Sequence, residues 1–480
     1  MANLTRLTLA LASIGMIGGC AVGPDYQRPE AALPQQFASD SNGAGQQQLQ
    51  PEWWKQFNDP LLNRLVASAL EKNTDVQRAL ARVEETDALL REATATLWPE
   101  LDLQASGSRS RVSTTGANPV TAPTRNNFRG VFSTSYELDF WGKARRAEQV
   151  ARAQSQSSRY AREALNLTLA GSVVQTYVTL RSQDALLQTL RDSLASRQQA
   201  LDLTSRRARG GVAGDLDVQQ ATLSLANLQR QLLGMQQQRA LTEQQLGLLS
   251  GNLGQSVAAA DLRTLPLPAT PPAGLPSQLL EARPDVRQAE AELIAANARI
   301  GVAKAALFPS ISLTGNLGGE SKELGDLLQA GSRVWSAGLG LNLPIFDFGR
   351  LSARTDQARA QQKQLLAGYQ RALQNAFVDV NNALIKLRTA ADSEAAAQQA
   401  AAAADKSLKL SELRYKSGYS AFLEVLVAQG NANDAALNLI QEKRDRLLAT
   451  VELYKALGGG WTEHTVQSGA TGQPSARSPG

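Results

Sequence analysis

Few residues in this 480-residue chain could carry reaction chemistry. There is one histidine, His464, close to a Gly/Ser-rich end, and one cysteine, Cys20. One imidazole leaves almost no basis for a histidine metal site, a Ser-His-Asp triad or histidine acid–base work. One thiol excludes intrachain disulfides and cysteine-rich zinc sites. No phosphate-cradling loop is present. The 49 Lys and Arg against 44 Asp and Glu give a net charge of +5 without a long basic run, so nucleic acid is not an expected partner. The composition therefore points away from an enzyme.

The chemistry that remains belongs to Cys20. It follows one early charge, Arg6, an apolar stretch from about Leu7 to Ile17, and the small pair Gly18-Gly19. That stretch is shorter than the roughly 20 apolar residues a bilayer span needs, but it suits a secretory signal. Small residues before a cysteine resemble a bacterial lipobox, in which the thiol is acylated and becomes the mature N-terminus. The alternative is an ordinary signal peptide with a chance cysteine. Ala21, rather than Asp, follows the cysteine, which favours the outer membrane over inner-membrane retention. No other segment holds 18 uninterrupted apolar residues.

The rest of the chain is a tandem repeat, the first thing to establish in a long sequence. Asp75-Val76 returns as Asp285-Val286, Trp98-Pro99 as Phe308-Pro309 and Leu103 as Leu313, each 210 residues on. Gly142, Leu180-Arg181, Gly211, Leu216, Val218 and Gly251 return as Gly349, Leu387-Arg388, Gly418, Leu423, Val425 and Gly458, each 207 residues on. The length difference therefore falls between Leu103 and Gly142.

Each half reads as helix, strand pair, very long helix and long returning helix. Asp59-Pro60 opens a short helix to about Lys72. Thr74 caps a second, to Leu97, which Pro99 ends. From Phe128 to Phe140 the even positions carry Phe, Thr, Tyr and Leu and the odd ones mostly polar residues, the period of a strand. Trp335 to Ile345 repeats it. No proline occurs from 124 to 265 or from 345 to 473, so 143–209 and 350–415 each fit one helix of roughly 100 Å. Leu366, Leu373, Val380 and Leu387 recur every seven residues beside a row of Tyr369, Ala376, Ala383 and Ala390, a coiled-coil seam whose small row demands close approach. Gly turns at 210–214 and 417–419 send the chain back.

Strands of this length that alternate apolar and polar residues suit an outer-membrane barrel with lipid outside and water inside. Four strands are too few for one, and an open sheet has unpaired edges that lipid cannot satisfy. Several chains must close one barrel. Two give eight strands filled by side chains, whereas three give twelve and leave a passage.

Here the sequence resembles the outer-membrane efflux proteins, the TolC-like exit ducts, and within them a lipid-anchored, OprM-like branch. The resemblance covers about residues 20–460. It is carried by the duplicated Asp-Val helices, the Trp98-Pro99 and Phe308-Pro309 strand starts, Leu343-Pro344-Ile345-Phe346-Asp347-Phe348-Gly349, Gly214 to Val218, and Tyr415 to Gln429. It implies an α+β membrane protein, a tandem-duplicated chain with four β-strands and long coiled-coil helices. Three such chains form a 12-stranded β-barrel in the outer membrane and a 12-helix periplasmic α-barrel. It further implies work beside a periplasmic adaptor and an inner-membrane pump that supplies the energy, with no catalysis by the duct. No cofactor is expected beyond N-acyl and S-diacylglycerol groups on Cys20.

The implied layout is a signal peptide at 1–19, an acylated arm at 20–58, a first repeat at 59–254 and a Pro-rich connector at 255–275. The second repeat is 276–460 and a disordered tail 461–480. The strand pairs are 100–140 and 309–345, and the long hairpins 143–251 and 350–457. The implied gate lies at the helix tips around Gly211 and Gly418. Tyr415 and Asp217 match residues that hold neighbouring helices shut, Leu423 a leucine ring and Glu424 an acidic ring. Val427 stands where the family has a second acidic ring, and Ser420 where some members have Arg. The reading is a mainly apolar constriction at Leu423 with Val427 nearby, backed by Glu424. The competing view makes Leu423 and Val427 seam residues and Glu424 a solvated side chain. A function of another class, a periplasmic lipoprotein coiled coil serving as adaptor or spacer, would have one hairpin between compact β domains, not two hairpins and two strand pairs.

Overall fold

Proline and capping residues divide the chain much as the sequence indicates. In the computed structural model, which describes residues 21–30, 33–34, 37, 50–115, 123–271 and 283–461, the described elements follow one order twice, except that the first helix of the first repeat has no counterpart among the described residues of the second. The first repeat holds α1 (Pro60–Lys72), α2 (Thr74–Ala95), β1 (Glu100–Arg111), β2 (Thr124–Glu137), α3 (Lys143–Arg209) and α4 (Asp215–Leu249). The second holds α5 (Pro284–Ala305), β3 (Ser310–Ser321), β4 (Arg333–Asn342), α6 (Arg350–Lys416) and α7 (Phe422–Ala456). Cys20 with the signal segment, much of the arm and connector, and the tail with His464 lie outside the described residues.

The two repeats share special backbone geometry. Gly142 and Gly349, Gly211 and Gly418, and Gly251 and Gly458 all hold positive φ, between 69° and 86°. Such angles suit glycine and strain other residues. Each pair is the same turn made twice.

Two compact units are formed. One comprises Met1–Glu30, Val83–Ser158 and Ala289–Tyr369 and contains the sheet. Its four strands are antiparallel in the order β1-β2-β3-β4, so β2 and β3 join the two repeats. β1 and β4 are its outer strands, and nearly all their residues are exposed. The strands end a few residues before Phe140 and Ile345, the limits that alternation indicates. Leu138 still donates to the Ile311 carbonyl, but Asp139 accepts from the amides of Ala144 and Arg145 and starts α3 instead. Asp347 does the same for Leu351 at α6.

The other unit comprises Ala31–Arg82, Arg159–Gln288 and Gln370–Gly480. Its apolar core gathers Trp53, Phe57, Leu62, Leu65 and Val66 against Val173, Val174, Tyr177, Leu228, Leu246, Leu447, Val451 and Tyr454. Trp53 stacks on Tyr454 at 5.2 Å, and both residues of the Trp53-Trp54 pair belong to this core. Asp59 caps α1 by accepting from Leu61 and Leu62, with Pro60 in the first turn, as its sequence suggests. It also takes the Tyr177 hydroxyl proton bond. Burial, reinforced by that bond, raises the Tyr177 pKa. At α2 the capping group is Asn73, whose side chain accepts from the Asp75 amide, not Thr74.

A buried polar network ties the first hairpin to the chain that leaves it. Arg181 donates to the Ala258 carbonyl at 2.6 Å, and Arg239 to the Val257 carbonyl at 2.6 Å. Asp184 lies between the two guanidinium groups, 3.2 Å from Arg181 and 2.8 Å from Arg239. Removing one partner from such a group leaves buried charge uncompensated, which costs about 3–5 kcal/mol. Asp184→Ala is therefore expected to lower unfolding stability by about that much, while Asp192→Ala, a change at an exposed residue of the same helix, stays within about 0.5 kcal/mol. Denaturant titration of the detergent-solubilised protein measures both.

Candidate functional site

The sequence-indicated site residues gather at the tips of two helical hairpins, α3–α4 and α6–α7. Both turns close by one pattern. The Val212 amide donates to Arg207 and the Gly211 amide to Ala208; the Tyr419 amide donates to Arg414 and the Gly418 amide to Tyr415. These are paired six-to-one and five-to-two bonds around a left-handed residue, a Schellman stop. Nothing crowds the position a side chain would take at Gly211 or Gly418, so backbone conformation alone requires glycine there.

The turn fixes Tyr415 one helical turn before the tip. Its ring is buried with Phe422, Val425 and Ala221, flanked by Leu201, Leu203 and Leu426. The Arg207 guanidinium lies over the ring, 4.6 Å from its centre. Tyr415 therefore joins the two hairpins of one chain through an apolar contact and a cation–π contact. Its hydroxyl is buried and has no hydrogen-bond partner among the described residues. Asp217 lies half-buried in the first turn of α4, where its charge complements the helix dipole. Tyr415 and Asp217 are not bonded to one another within the chain.

Leu423 and Val427, four residues apart on α7, point out together, 56% and 55% exposed. The seam of α7 is instead Phe422, Val425 and Ala428. Within the chain these two residues are thus not seam side chains. Glu424 is exposed beside them, with Arg414 3.9 Å away, a weak surface pair. Ser420 is partly buried and its hydroxyl lacks a partner among the described residues. The structure brings Tyr415, Leu423, Glu424, Val427 and Gly418 together on one hairpin, with Gly211 and Asp217 on the other.

Sequence reasoning missed Arg207 and Phe422. Their signals were present: Arg206, Arg207 and Arg209 crowd the last turn of α3, and Phe422 falls seven residues after Tyr415. Elsewhere, a cavity of about 440 Å³ is lined by Arg283, Asp285, Asp379, Lys386 and Glu452. These five pair with each other: Arg283 with Asp285 at 2.7 Å and Asp379 at 3.1 Å, Lys386 with Glu452 at 2.8 Å. Among the described residues no group of His, Cys, Asp and Glu could hold a metal ion, and no helix is long and apolar enough to cross a membrane.

The profile of the outer membrane efflux protein family matches residues 65–252 and 275–459, one stretch in each repeat. A probable efflux pump outer membrane protein of Pseudomonas putida, TtgC, is 35% identical over 99% of this chain and all of its own. A cation efflux system protein of Escherichia coli, CusC, is 32% identical over 93% of this chain and 96% of its own. The solved outer membrane channel CmeC of Campylobacter jejuni superposes with a TM-score of 0.88 at 26% identity, covering 94% of this chain and 98% of its own.

The contacts of Tyr415 separate ring from hydroxyl. Tyr415→Phe removes an oxygen without a partner and is expected to leave stability within about 1 kcal/mol. Tyr415→Ala empties the apolar joint at a cost of about 3–5 kcal/mol. Hydrogen exchange of the two helix tips reads the difference, with faster exchange near 200–208 and 411–426 for the alanine variant only.

Proposed function

The chain belongs to the outer membrane efflux protein family, and from that membership we propose that three copies form a lipid-anchored exit duct, gated at its helix tips. As a member of that family it is a transport conduit and not an enzyme. It is an outer-membrane channel component of an efflux pump, working with an adaptor and an inner-membrane pump.

One observation carries the three-chain reading: the sheet is four strands wide and open at both sides. Unpaired amides and carbonyls along β1 and β4 would each cost several kcal/mol in hydrocarbon. Twelve strands satisfy them and leave a lumen. The polar faces of the long helices then line a wet passage through the periplasm.

The anchor is supported by where the arm begins. Ala21 lies against Gly142, whose missing side chain makes room for it, and Val22 donates to the Trp141 carbonyl at 3.0 Å. Asp25 pairs with Arg146 at 2.7 Å, and Arg28 with Glu290 at 2.6 Å. The residue before Ala21 is Cys20, so acyl groups there meet the membrane beside the strand ends. Residues 1–19 are then the removed signal.

At the tip, Leu423 and Val427 of three chains make an apolar constriction and Glu424 an acidic ring that draws cations. Tyr415 and Arg207 brace each protomer behind it. Relatives are named for toluene, solvent, antibiotic and cation efflux. This chain has three Met and one His, too few for a soft-metal relay along its length, which favours small toxic organic compounds, drugs among them.

Native mass spectrometry of protein extracted from outer membranes tests the assembly. The expected mass is three chains, each beginning at Cys20 with acyl groups; Cys20→Ser loses the acyl mass. A lipidated monomer alone would sink the duct. In planar bilayers, Leu423→Ala is expected to raise single-channel conductance at the closed tip; unchanged conductance would remove Leu423 from the constriction.

A further inference from the structure

The repeat relates pairs of strands with residue accuracy. Adding 210 to β1 and 207 to β2 turns the β1–β2 pairing into the β3–β4 pairing. Glu100 opposite Ser135 becomes Ser310 opposite Asn342, and Ser106 opposite Arg129 becomes Asn316 opposite Ser336. Both hairpins obey the same operation.

The third pairing, β2–β3, passes from the first repeat to the second. Here Tyr136 faces Leu313, Ser135 faces Thr314, Thr134 faces Gly315 and Phe132 faces Leu317. Its counterpart passes from the second repeat to a first repeat, and one chain has no further first repeat to offer. Only another copy can supply it. Applying the same offsets, we propose that β4 pairs antiparallel with β1 of the next chain in one fixed register. Asn342 faces Gln104 of that chain, Leu343 faces Leu103, Leu341 faces Ala105, and Leu339 faces Gly107. The register rests on the three-chain reading above and adds residue pairs to it.

Two further features agree. From Leu339 to Leu343 the register sets Leu against Leu, Ala and Gly on one face, and Asn342 against Gln104 and Gly340 against Ser106 on the other, whereas a slip of one residue would reverse every side chain of one strand. The junction below the sheet has the same unfinished half. Inside the chain Trp141 stacks on Phe308 at 4.7 Å and donates to the Pro309 carbonyl at 2.7 Å. Phe308 corresponds to Trp98, and Trp141, like Phe348, directly precedes a positive-φ glycine. Trp98 is 73% exposed and Phe348 91%. They are the two halves of a contact that the next chain completes.

A slip of two residues would keep the alternation, so the test must resolve two. Leu138 donates to Ile311 directly opposite it, which sets the alternation of hydrogen-bonded pairs in β2–β3. Carried over, Asn342 and Gln104 form a non-hydrogen-bonded pair with Cα atoms about 4.5 Å apart, within disulfide reach. Within one chain β1 and β4 are three strand spacings of about 4.8 Å apart, so any bond must link two chains. Asn342→Cys is combined in turn with Gln104→Cys, Asp102→Cys or Ser106→Cys, and outer membranes are mildly oxidised. Single variants, with Cys20 in place, give the background. The expected result is covalent oligomers several-fold more abundant for the 342–104 combination. A native trimer that instead prefers 342–102 or 342–106, or cross-links at none of the three, overturns the register and leaves the duct standing. The absence of any trimer removes both.

Discussion

A backbone amide or carbonyl placed in hydrocarbon must find a partner in protein, and that constraint governs this chain. Four strands cannot close, so β1 and β4 end the protomer's sheet as bonding surfaces awaiting strands. Long helices with polar faces follow from the same logic, since a passage opened through a membrane must be continued with a wet interior. Gene duplication meets the demand economically. One strand pair and one hairpin, made twice with the same glycine turns, supply a repeating wall from a single design.

The repeats have diverged where their neighbours differ. In the first, Tyr177, Asp184 and Glu243 belong to a buried network that holds residues 257–260 against α3 and α4. Their counterparts in the second are Leu384, Ala391 and Thr450. The first hairpin thus secures the chain that crosses to the second repeat. At the tips the difference runs the other way. Both hairpins present a leucine, Leu216 and Leu423, but the second has Val427 where the first has Gln220, and its Tyr415 and Phe422, in place of Ala208 and Asp215, bind it to the first.

Much of this was legible in the residues. A proline-free run bounded by Gly142 and Gly211 gives α3 its limits, Lys143 to Arg209, because helix stops are local chemistry. Heptads placed Tyr369, Leu373, Ala376, Val380 and Ala383 in a buried seam. Strand ends were less legible, because alternation continues through Leu138 and Phe140 while Asp139 has already turned to cap α3. The Arg181–Asp184–Arg239 network was not legible at all. Charged residues on a long helix read as solvated, and only the fold reveals that Arg239, 55 residues on, reaches Asp184. Tyr415 shows the same limit: its position at the tip follows from the turn, but that its ring meets Arg207 while its hydroxyl has no hydrogen-bond partner among the described residues is a fact of packing.

Ala21 is held at Gly142, just where strand gives way to helix. Chain connectivity puts the preceding Cα one step, about 3.8 Å, from that of Ala21, so whatever Cys20 carries is rooted there. A leash so short confers no roaming. It works as a depth gauge: a lipid on Cys20 would fix how far the wall sinks into the bilayer, and three such gauges around a ring would hold it level.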